Sequence, residues 1–407
     1  MGTSENVLSH RRVMIASYTH VVCGEFTKLG GPALALKDFV KTRVAKLICI
    51  WQPLPISDVL DGLAEIYEQG KVKRYRFLVP NWPWNKEGDI TLLYFLLKFR
   101  DILATIYFVL KFREPSDYFV GVEALDVLLG VLFRRIGLVR QVVYYSLDYG
   151  DVRFKNRILN AVFHTMDRIA AQRSDFIWNL LPEVSHARTR KLGGGLKTPQ
   201  IIVPIGTDFE RIERLPIERI DRDAIVYLGM LADKCGVTLI LDAMPEIVRC
   251  RPRTRLIVIG GGPLEAKLRA KVAELGFSDR VEFMGRISDE LVERTLCKCA
   301  VGIAPYLADE DSTKKFGDVT KPKMYMTCGL PVVITGVPPT AKEIADNRAG
   351  IIIDYNKKEL ADAVIQILSD EDMLREFREN AIKLASKYSW NEIFARAFAD
   401  MTNLSER

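Results

Sequence analysis

Short apolar runs alternate along the chain with longer stretches whose apolar residues recur every three or four positions. Runs this short and this uniformly apolar are what strands look like when helices cover both faces of a parallel sheet. In the first half they fall at residues 13–18, 45–50, 75–79, 118–122, 141–145, 176–179 and 201–203. A polar stretch follows Pro204-Ile205-Gly206-Thr207-Asp208 and lasts to Asp223, which places a linker there. The alternation restarts at 225–228 and continues at 255–259, 280–283, 300–304, 331–334 and 350–353. The pattern predicts an α/β protein of two consecutive doubly wound units, which together would enclose a cleft.

Residues 91–111 are apolar enough to suggest a membrane span, but Lys98, Arg100 and Asp101 fall at the middle, where each would cost a few kcal/mol in lipid. No span is predicted. At 3.6 residues per turn Lys98, Asp101 and Thr105 share a narrow stripe, leaving Leu92, Leu93, Phe95, Leu96, Phe99, Leu103, Ile106 and Leu110 as a broad apolar surface. Two readings stay open: a helix packed under the sheet, or one lying partly in a membrane interface.

Composition narrows the class. With 48% hydrophobic and 27% charged residues over 407 positions, the chain is globular and long enough for two domains. Residues 1–207 carry 28 Lys and Arg against 19 Asp and Glu, whereas residues 208–407 carry 30 against 33. The basic half suits phosphate-bearing ligands or an anionic membrane surface, with solvated charge as the plainer alternative. The seven cysteines form no paired framework, and Cys297-Lys298-Cys299 lacks the companions of a zinc site. Reduced thiols and the absence of a signal-peptide pattern point to a cytoplasmic protein.

Candidate chemistry begins at Gly260-Gly261-Gly262-Pro263, between a strand and a helical pattern with Leu264, Leu268, Val272 and Leu275. Such a turn can hold an anion at a helix start, although the P-loop Lys-Ser/Thr and the dinucleotide-binding spacing are both absent. Read with its surroundings the loop becomes specific. Tyr227-Leu228-Gly229, Lys234, Gly236-Val237, residues 256–263, Val281-Glu282-Phe283-Met284-Gly285, Ala304-Pro305-Tyr306 and Cys328-Gly329-Leu330-Pro331-Val332-Val333 occur in one order. In these elements residues 225–355 resemble the C-terminal domain of the family 4 glycosyltransferases of the GT-B fold.

The resemblance implies two Rossmann-like domains facing a cleft: an acceptor domain over 1–207, a donor domain over 208–387, and a helix over 388–407, opened by Tyr388-Ser389-Trp390, that packs back on the first. It implies a retaining, metal-independent transfer of a sugar from a nucleotide-sugar donor to a glycan or lipid-linked acceptor, as in polysaccharide or glycolipid biosynthesis, with no cofactor and no nucleic acid involved. Charge developing on the leaving diphosphate must then be met by Lys, Arg and backbone N–H groups. The donor residues are expected to be Gly229, Lys234, Gly285, Arg286, Lys321 and Met324. Lys321 is expected to compensate for Met230, which stands where the family usually has an arginine. Met324 stands in the slot of the later of two glutamates separated by seven residues, the one that bonds the ribose. In the first half the family's His-Glu becomes Val122-Glu123. Glu123 and His20 are the catalytic candidates, and Gly30, Gly31, Asp148 and Arg153 the acceptor-binding ones. The departures at Met230, Val122 and Met324 favour the alternative of a catalytically silent relative that binds nucleotide sugar or scaffolds other enzymes. Peripheral contact with an anionic membrane is a further expectation of the basic half.

Overall fold

The apolar runs of the first half become strands of one eight-stranded sheet in the computed structural model, which describes residues 8–19, 31–53, 61–78, 90–147, 149–150, 156–308 and 319–406. The elements in chain order are β1 (Arg12–Thr19), α1 (Pro32–Val40), β2 (Lys46–Pro53), β3 (Asp61–Glu68), β4 (Lys71–Leu78), α2 (Ile90–Phe112) and β5 (Ser116–Gly121). There follow α3 (Ala124–Arg135), β6 (Val139–Ser146), α4 (Arg157–Arg173), β7 (Phe176–Asn179), α5 (Pro182–Lys191) and β8 (Gln200–Ile202). The strand order is β4-β3-β2-β1-β5-β6-β7-β8. From β2 to β8 every pairing is parallel, and the order reverses between β1 and β5.

One strand expectation needs correction. The run at 75–79, read as another strand of the parallel series, is the end of β4, which pairs antiparallel with β3 at the sheet edge. Gln69 and Gly70 join the two with φ of 49° and 74°, the paired positive angles that let a two-residue turn follow the strand twist. The sequence Asp61-Gly62-Leu63-Ala64-Glu65-Ile66-Tyr67-Glu68 mixes charge into the strand, so no apolar run announced β3.

The helix read over 91–111 is α2, and its orientation reverses what its periodicity suggests. Asp101 and Thr105, from the polar stripe, are buried at 2% and 0% exposure, while Phe99, Leu103, Tyr107 and Leu110 stand 41–59% exposed. Gln52 explains the inversion: its amide donates to Thr105 Oγ1 at 2.7 Å and to Asp126 Oδ1 at 3.2 Å, so a polar pocket under the sheet edge draws the polar stripe inward. Phe108 and Val109 complete the inward contact within the unit's apolar core.

The second half forms a six-stranded, wholly parallel sheet in the order β11-β10-β9-β12-β13-β14. Its elements are β9 (Ala224–Leu228), α6 (Val237–Cys250), β10 (Arg255–Ile259), α7 (Glu265–Glu274), β11 (Val281–Gly285), α8 (Asp289–Leu296) and β12 (Val301–Ala304). They continue with α9 (Thr320–Thr327), β13 (Val332–Thr335), α10 (Thr340–Asp346), β14 (Gly350–Ile353), α11 (Lys357–Ser369), α12 (Glu371–Ser386) and α13 (Trp390–Ser405). Two apolar cores cover its faces.

The chain divides into one unit of Met1–Pro204 with Ile393–Arg407 and another of Ile205–Glu392. Most of α13 therefore belongs to the first unit. Its Phe394 and Phe398 pack there with Phe39, Tyr118, Tyr145 and Trp178 at ring-centroid separations of 5.3–6.4 Å. The described cysteines are all free thiols. Burial pushes the Cys299 thiol up to about 12, which keeps it protonated and unreactive at neutral pH.

Phe398 is 3% exposed in this aromatic cluster. Phe398→Ala is expected to destabilise the first unit by about 3–5 kcal/mol, the usual cost of emptying a buried phenylalanine site. Denaturant unfolding followed by Trp fluorescence reports it, and an unchanged first-unit transition would contradict this packing.

Candidate functional site

Open parallel sheets bind ligands outside the carboxyl ends of their strands, at the point where the strand order reverses. In the second unit that point lies between β9 and β12. These strands pair only through Ile225–Val301 and Val226–Gly302 before they separate. Tyr325, from α9, fills the opening. Its hydroxyl accepts a hydrogen bond from the Leu228 amide at 2.7 Å and donates to the Ile303 carbonyl at 3.2 Å, in place of the missing strand contacts. The ring lies on Gly302, where any Cβ would overlap it. Burial holds the phenol well above its ordinary pKa, so it stays a donor.

Four loops meet over this opening. Gly229 follows β9 with φ 146°, and its amide donates to Ile259 O at 2.8 Å. Gly260 follows β10 with φ 128°, packs on the Gly229 carbonyl and donates its amide to Gly285 O at 2.8 Å. Leu231 and Leu264 continue the stitching through Leu231 N to Gly261 O at 3.1 Å and Leu264 N to Leu231 O at 3.0 Å. Gly236 caps the start of α6 in the left-handed region, φ 71°, against the Pro305 carbonyl of the loop after β12. Two of the three glycines in 260–262 therefore serve close loop packing, since Gly262 lies as tightly on the Leu231 backbone. Only Gly261 faces side chains, those of Arg286 and Glu265.

The cations sit on this platform. Lys321, in the first turn of α9, lies directly on Gly229, with Nζ 5.1 Å from the Tyr227 ring centre and 5.6 Å from that of Tyr306. Both phenols are pushed up by burial and remain neutral. Arg286 extends along Gly261, directly after Gly285 in its left-handed conformation, φ 67°. Lys234 is exposed on the loop between Gly229 and Gly236. The helix that carries Lys321 is fixed at its other end, where Arg214 donates to Thr327 O at 2.6 Å and Arg378 to Gly329 O. Its second lysine turns away: Lys323 is buried, donates to Ile205 O at 2.8 Å and lies 4.2 Å from the Tyr388 ring centre. Met324 is half-buried and packs against the apolar core. Thus Gly229, Gly285, Arg286 and Lys321 are brought together. Tyr227, Tyr306 and Tyr325, which sequence reasoning left out of the site, support them; aromatic residues within apolar runs carry no signal beyond core. Among the described residues no group of three or more His, Cys, Asp or Glu is placed to hold a metal.

In the first unit Glu123 follows β5 beside the reversal point between β1 and β5, as the residue preceding α3. Its carbonyl accepts from Val127 N at 3.0 Å, and its side chain makes no capping bond. Gly31 precedes α1, and its carbonyl accepts from Leu34 and Ala35. His20, Gly30, Asp148 and Arg153 lie outside the described residues, as do the carboxylates Asp309, Glu310 and Asp311.

Residues 210–384 match the family described as glycosyl transferases group 1. The match lies within the second unit. The chain is 29% identical over 171 residues to the alpha-D-kanosaminyltransferase of Streptomyces kanamyceticus, an alignment covering 42% of each protein. It is 22% identical over 263 residues to the phosphatidyl-myo-inositol mannosyltransferase of Mycobacterium leprae, covering 61% of this chain and 68% of the relative. The fold is similar to the crystal structure of Anabaena Alr3699/HepE in complex with UDP, at a TM-score of 0.61 and 16% identity, over 96% of this chain and 100% of that one. The two α/β units fit the GT-B architecture, and the group 1 match lies within the second of them.

The Tyr325 hydroxyl gives the platform a direct test. Tyr325→Phe leaves the buried Leu228 amide without its acceptor and is expected to cost about 1–3 kcal/mol. Thermal unfolding measures the loss. Stability equal to wild type would show that the bridge contributes nothing.

Proposed function

We propose that the chain is a retaining, metal-independent glycosyltransferase that moves a sugar from a nucleoside-diphosphate donor to a glycan or lipid-linked acceptor in the cytoplasm. The observation that carries this reading is the placement of Lys321 on Gly229 at the strand-order reversal of the group 1 domain, with Arg286 along Gly261. In this reading the diphosphate lies across the ends of β9 and β10. Lys321, Arg286 and Lys234 balance the charge that grows as the glycosidic bond breaks, and no divalent ion is required. Met324, turned partly into the core, leaves the ribose to other polar groups. Glu123 accepts the proton of the attacking hydroxyl, and the acceptor binds on the first unit. Relatives named as a kanosaminyltransferase and a phosphatidyl-myo-inositol mannosyltransferase, and a similar fold holding UDP, support this donor chemistry and a sugar or lipid acceptor.

Nucleoside-diphosphate binding, measured by calorimetry in EDTA, tests the cations. Lys321→Ala and Lys234→Ala are each expected to weaken it by about 1.5–3 kcal/mol, the worth of a charged hydrogen bond. Transfer assayed under the same chelation should persist. Affinity unchanged in both variants and in their double would overturn the assignment, and activity that needs added Mg²⁺ or Mn²⁺ would overturn the metal-free mechanism.

Contact with an anionic membrane belongs to the same proposal. Among the described residues no helix is long and apolar enough to cross a bilayer. The inverted α2 nevertheless turns Phe99, Leu103, Tyr107 and Leu110 outward, and Lys71, Lys73, Lys111 and Arg113 are exposed on β4 and the end of α2. Lys111 lies 4.9 Å from the Tyr75 ring of β4 and 5.4 Å from that of Tyr107, so strand and helix form one face. Each such cation is attracted to anionic lipid by about 1 kcal/mol, and the apolar stripe adds burial in the interface. Co-sedimentation should therefore favour anionic over neutral vesicles and weaken in a Lys111→Glu, Arg113→Glu variant. Equal partitioning into both lipids, or a variant that binds like wild type, would refute the contact.

A further inference from the structure

Two thiols meet where α8 and α9 end. Cys297 and Cys328 are the residues that follow these helices, their amides closing the last turns on Glu293 O at 2.9 Å and Met324 O at 3.0 Å. They belong to the same apolar core, at 4% and 0% exposure, and share a hydrogen bond. Arg214 and Arg378 bracket Cys328 through the residues on either side of it. Arg214 donates to the Thr327 carbonyl at 2.6 Å and Arg378 to that of Gly329, on which its guanidinium lies so closely that any Cβ would overlap it. Their remaining hydrogen bonds among the described residues also go to backbone carbonyls, of Phe209 and Ile212 for Arg214 and of Leu215 for Arg378.

Two guanidiniums bonded to carbonyls keep their positive charge next to these sulfurs. Burial lowers both from the ordinary guanidinium pKa, and the sulfurs of Cys297 and Cys328 counter that on each. Glu210 acts on Arg214 more weakly and is engaged by Ser389 Oγ, and Glu293, one turn before Cys297, is engaged by Arg211. A helix C-terminus disfavours an anion, so neither thiol would ionise on account of its own helix. The cations reverse this. The Cys297 thiol is held below its ordinary value, first by the hydrogen bond from Cys328 and then, against burial, by Arg378 and Arg214. The same hydrogen bond, followed by burial, pushes the Cys328 thiol up. One sulfur is thus an activated nucleophile while its neighbour keeps the proton, the division of roles that a reactive dithiol needs. Cys299 takes no part: its thiol donates to Thr295 O at 3.3 Å and stays protonated.

We propose that Cys297 and Cys328 form a reversible redox pair, oxidised to a disulfide by hydrogen peroxide and reduced by a monothiol. Peroxide is small enough to reach a sulfur on a residue that is 4% exposed. The Cys297 thiolate attacks one peroxide oxygen, the O–O bond breaks, and the hydroxide that leaves takes up a proton to become water, with Arg378 and Arg214 beside the departing charge. Cys328 then attacks the Cys297 sulfenic acid, giving up its thiol proton; the S–S bond forms and a second water leaves. Two thiols and one peroxide become one disulfide and two waters, with both sulfurs oxidised and both peroxide oxygens reduced. A disulfide carries no charge, so oxidation strips the two cations of their thiolate and favours return to the reduced pair. Two monothiols reverse the change and leave as a disulfide of their own. The covalent tie joins α8 to α9, the helix that carries Lys321 and Tyr325. The inference goes beyond the transfer reaction and stands whether or not that reading holds.

The test is a peptide mass map of the full chain after treatment with hydrogen peroxide, with every remaining thiol alkylated by N-ethylmaleimide under denaturing conditions. The sequence has seven cysteines, and the exposed Cys250 reports that the oxidant was effective. A peptide pair joined through Cys297 and Cys328, lighter by two hydrogens and released again by excess glutathione, is expected, while Cys299 stays open to alkylation. Cys328→Ser removes the resolving thiol, so dimedone should then trap Cys297 as its sulfenic acid; in Cys297→Ser, Cys328 should remain unlabelled. Should either variant fail to fold, the map of the wild-type chain decides alone. Full alkylation of both thiols after Cys250 has been oxidised, a join to any other cysteine, a disulfide that resists glutathione, or dimedone on Cys328 in place of Cys297 would each overturn the proposal.

Discussion

The second unit depends on one break in its sheet. Where the strand order reverses, successive connections run in opposite directions, and β9 and β12 cannot stay paired to their carboxyl ends. The break leaves an amide and a carbonyl inside the protein that must be satisfied, because a buried backbone group without a partner costs about 1–3 kcal/mol. Tyr325 supplies both partners with one hydroxyl, and Gly302 admits its ring. The position of α9 follows from that insertion. Lys321 lies four residues earlier, about one turn along the same face, and is thereby carried onto Gly229. The repair of a sheet defect and the placement of the site's best-fixed cation are thus one event.

Glycine at 229, 236 and 260 is the backbone counterpart of that event. Each takes a positive φ and each has a neighbouring loop's carbonyl or lysine chain where a side chain would stand. The loops after β9, β10 and β12 can approach one another only because these positions are empty. Their convergence builds a narrow shelf at the strand ends, on which Lys321 lies against Gly229 and Arg286 against Gly261.

Most strands of both sheets were legible as apolar runs, because a parallel strand covered on two sides has no polar face to interrupt the pattern. The edge hairpin was not, since Glu65 and Glu68 break the run in β3 and only half of β4 reads as apolar. The span of α2 was readable but its facing was not. Periodicity assigns apolar residues to the inside, and here Gln52 and Asp126 make the inside polar at that one place. The ordered motifs contained Gly229 and Gly285, and Lys321 was expected as the charge that compensates for Met230; the structure brings these three together, whereas Tyr325 looked like any buried aromatic. Met324, expected in a glutamate slot, is half-buried and packs a thioether against the core, where a carboxylate would need solvation or a partner.

The division of the chain also sets an order of events during synthesis. The second unit is an insertion within the first, leaving it after Pro204 and rejoining it at Ile393. All the strands of the first sheet emerge from the ribosome early, yet the aromatic cavity around Trp178, Tyr145 and Phe39 is closed only by Phe394 and Phe398, after the whole second unit has been made. The domain that begins first must finish last. For the time needed to translate nearly two hundred residues, a nascent sheet presents an open apolar socket while a complete neighbour folds beside it, a window in which chaperone capture and misassembly compete with the arrival of α13.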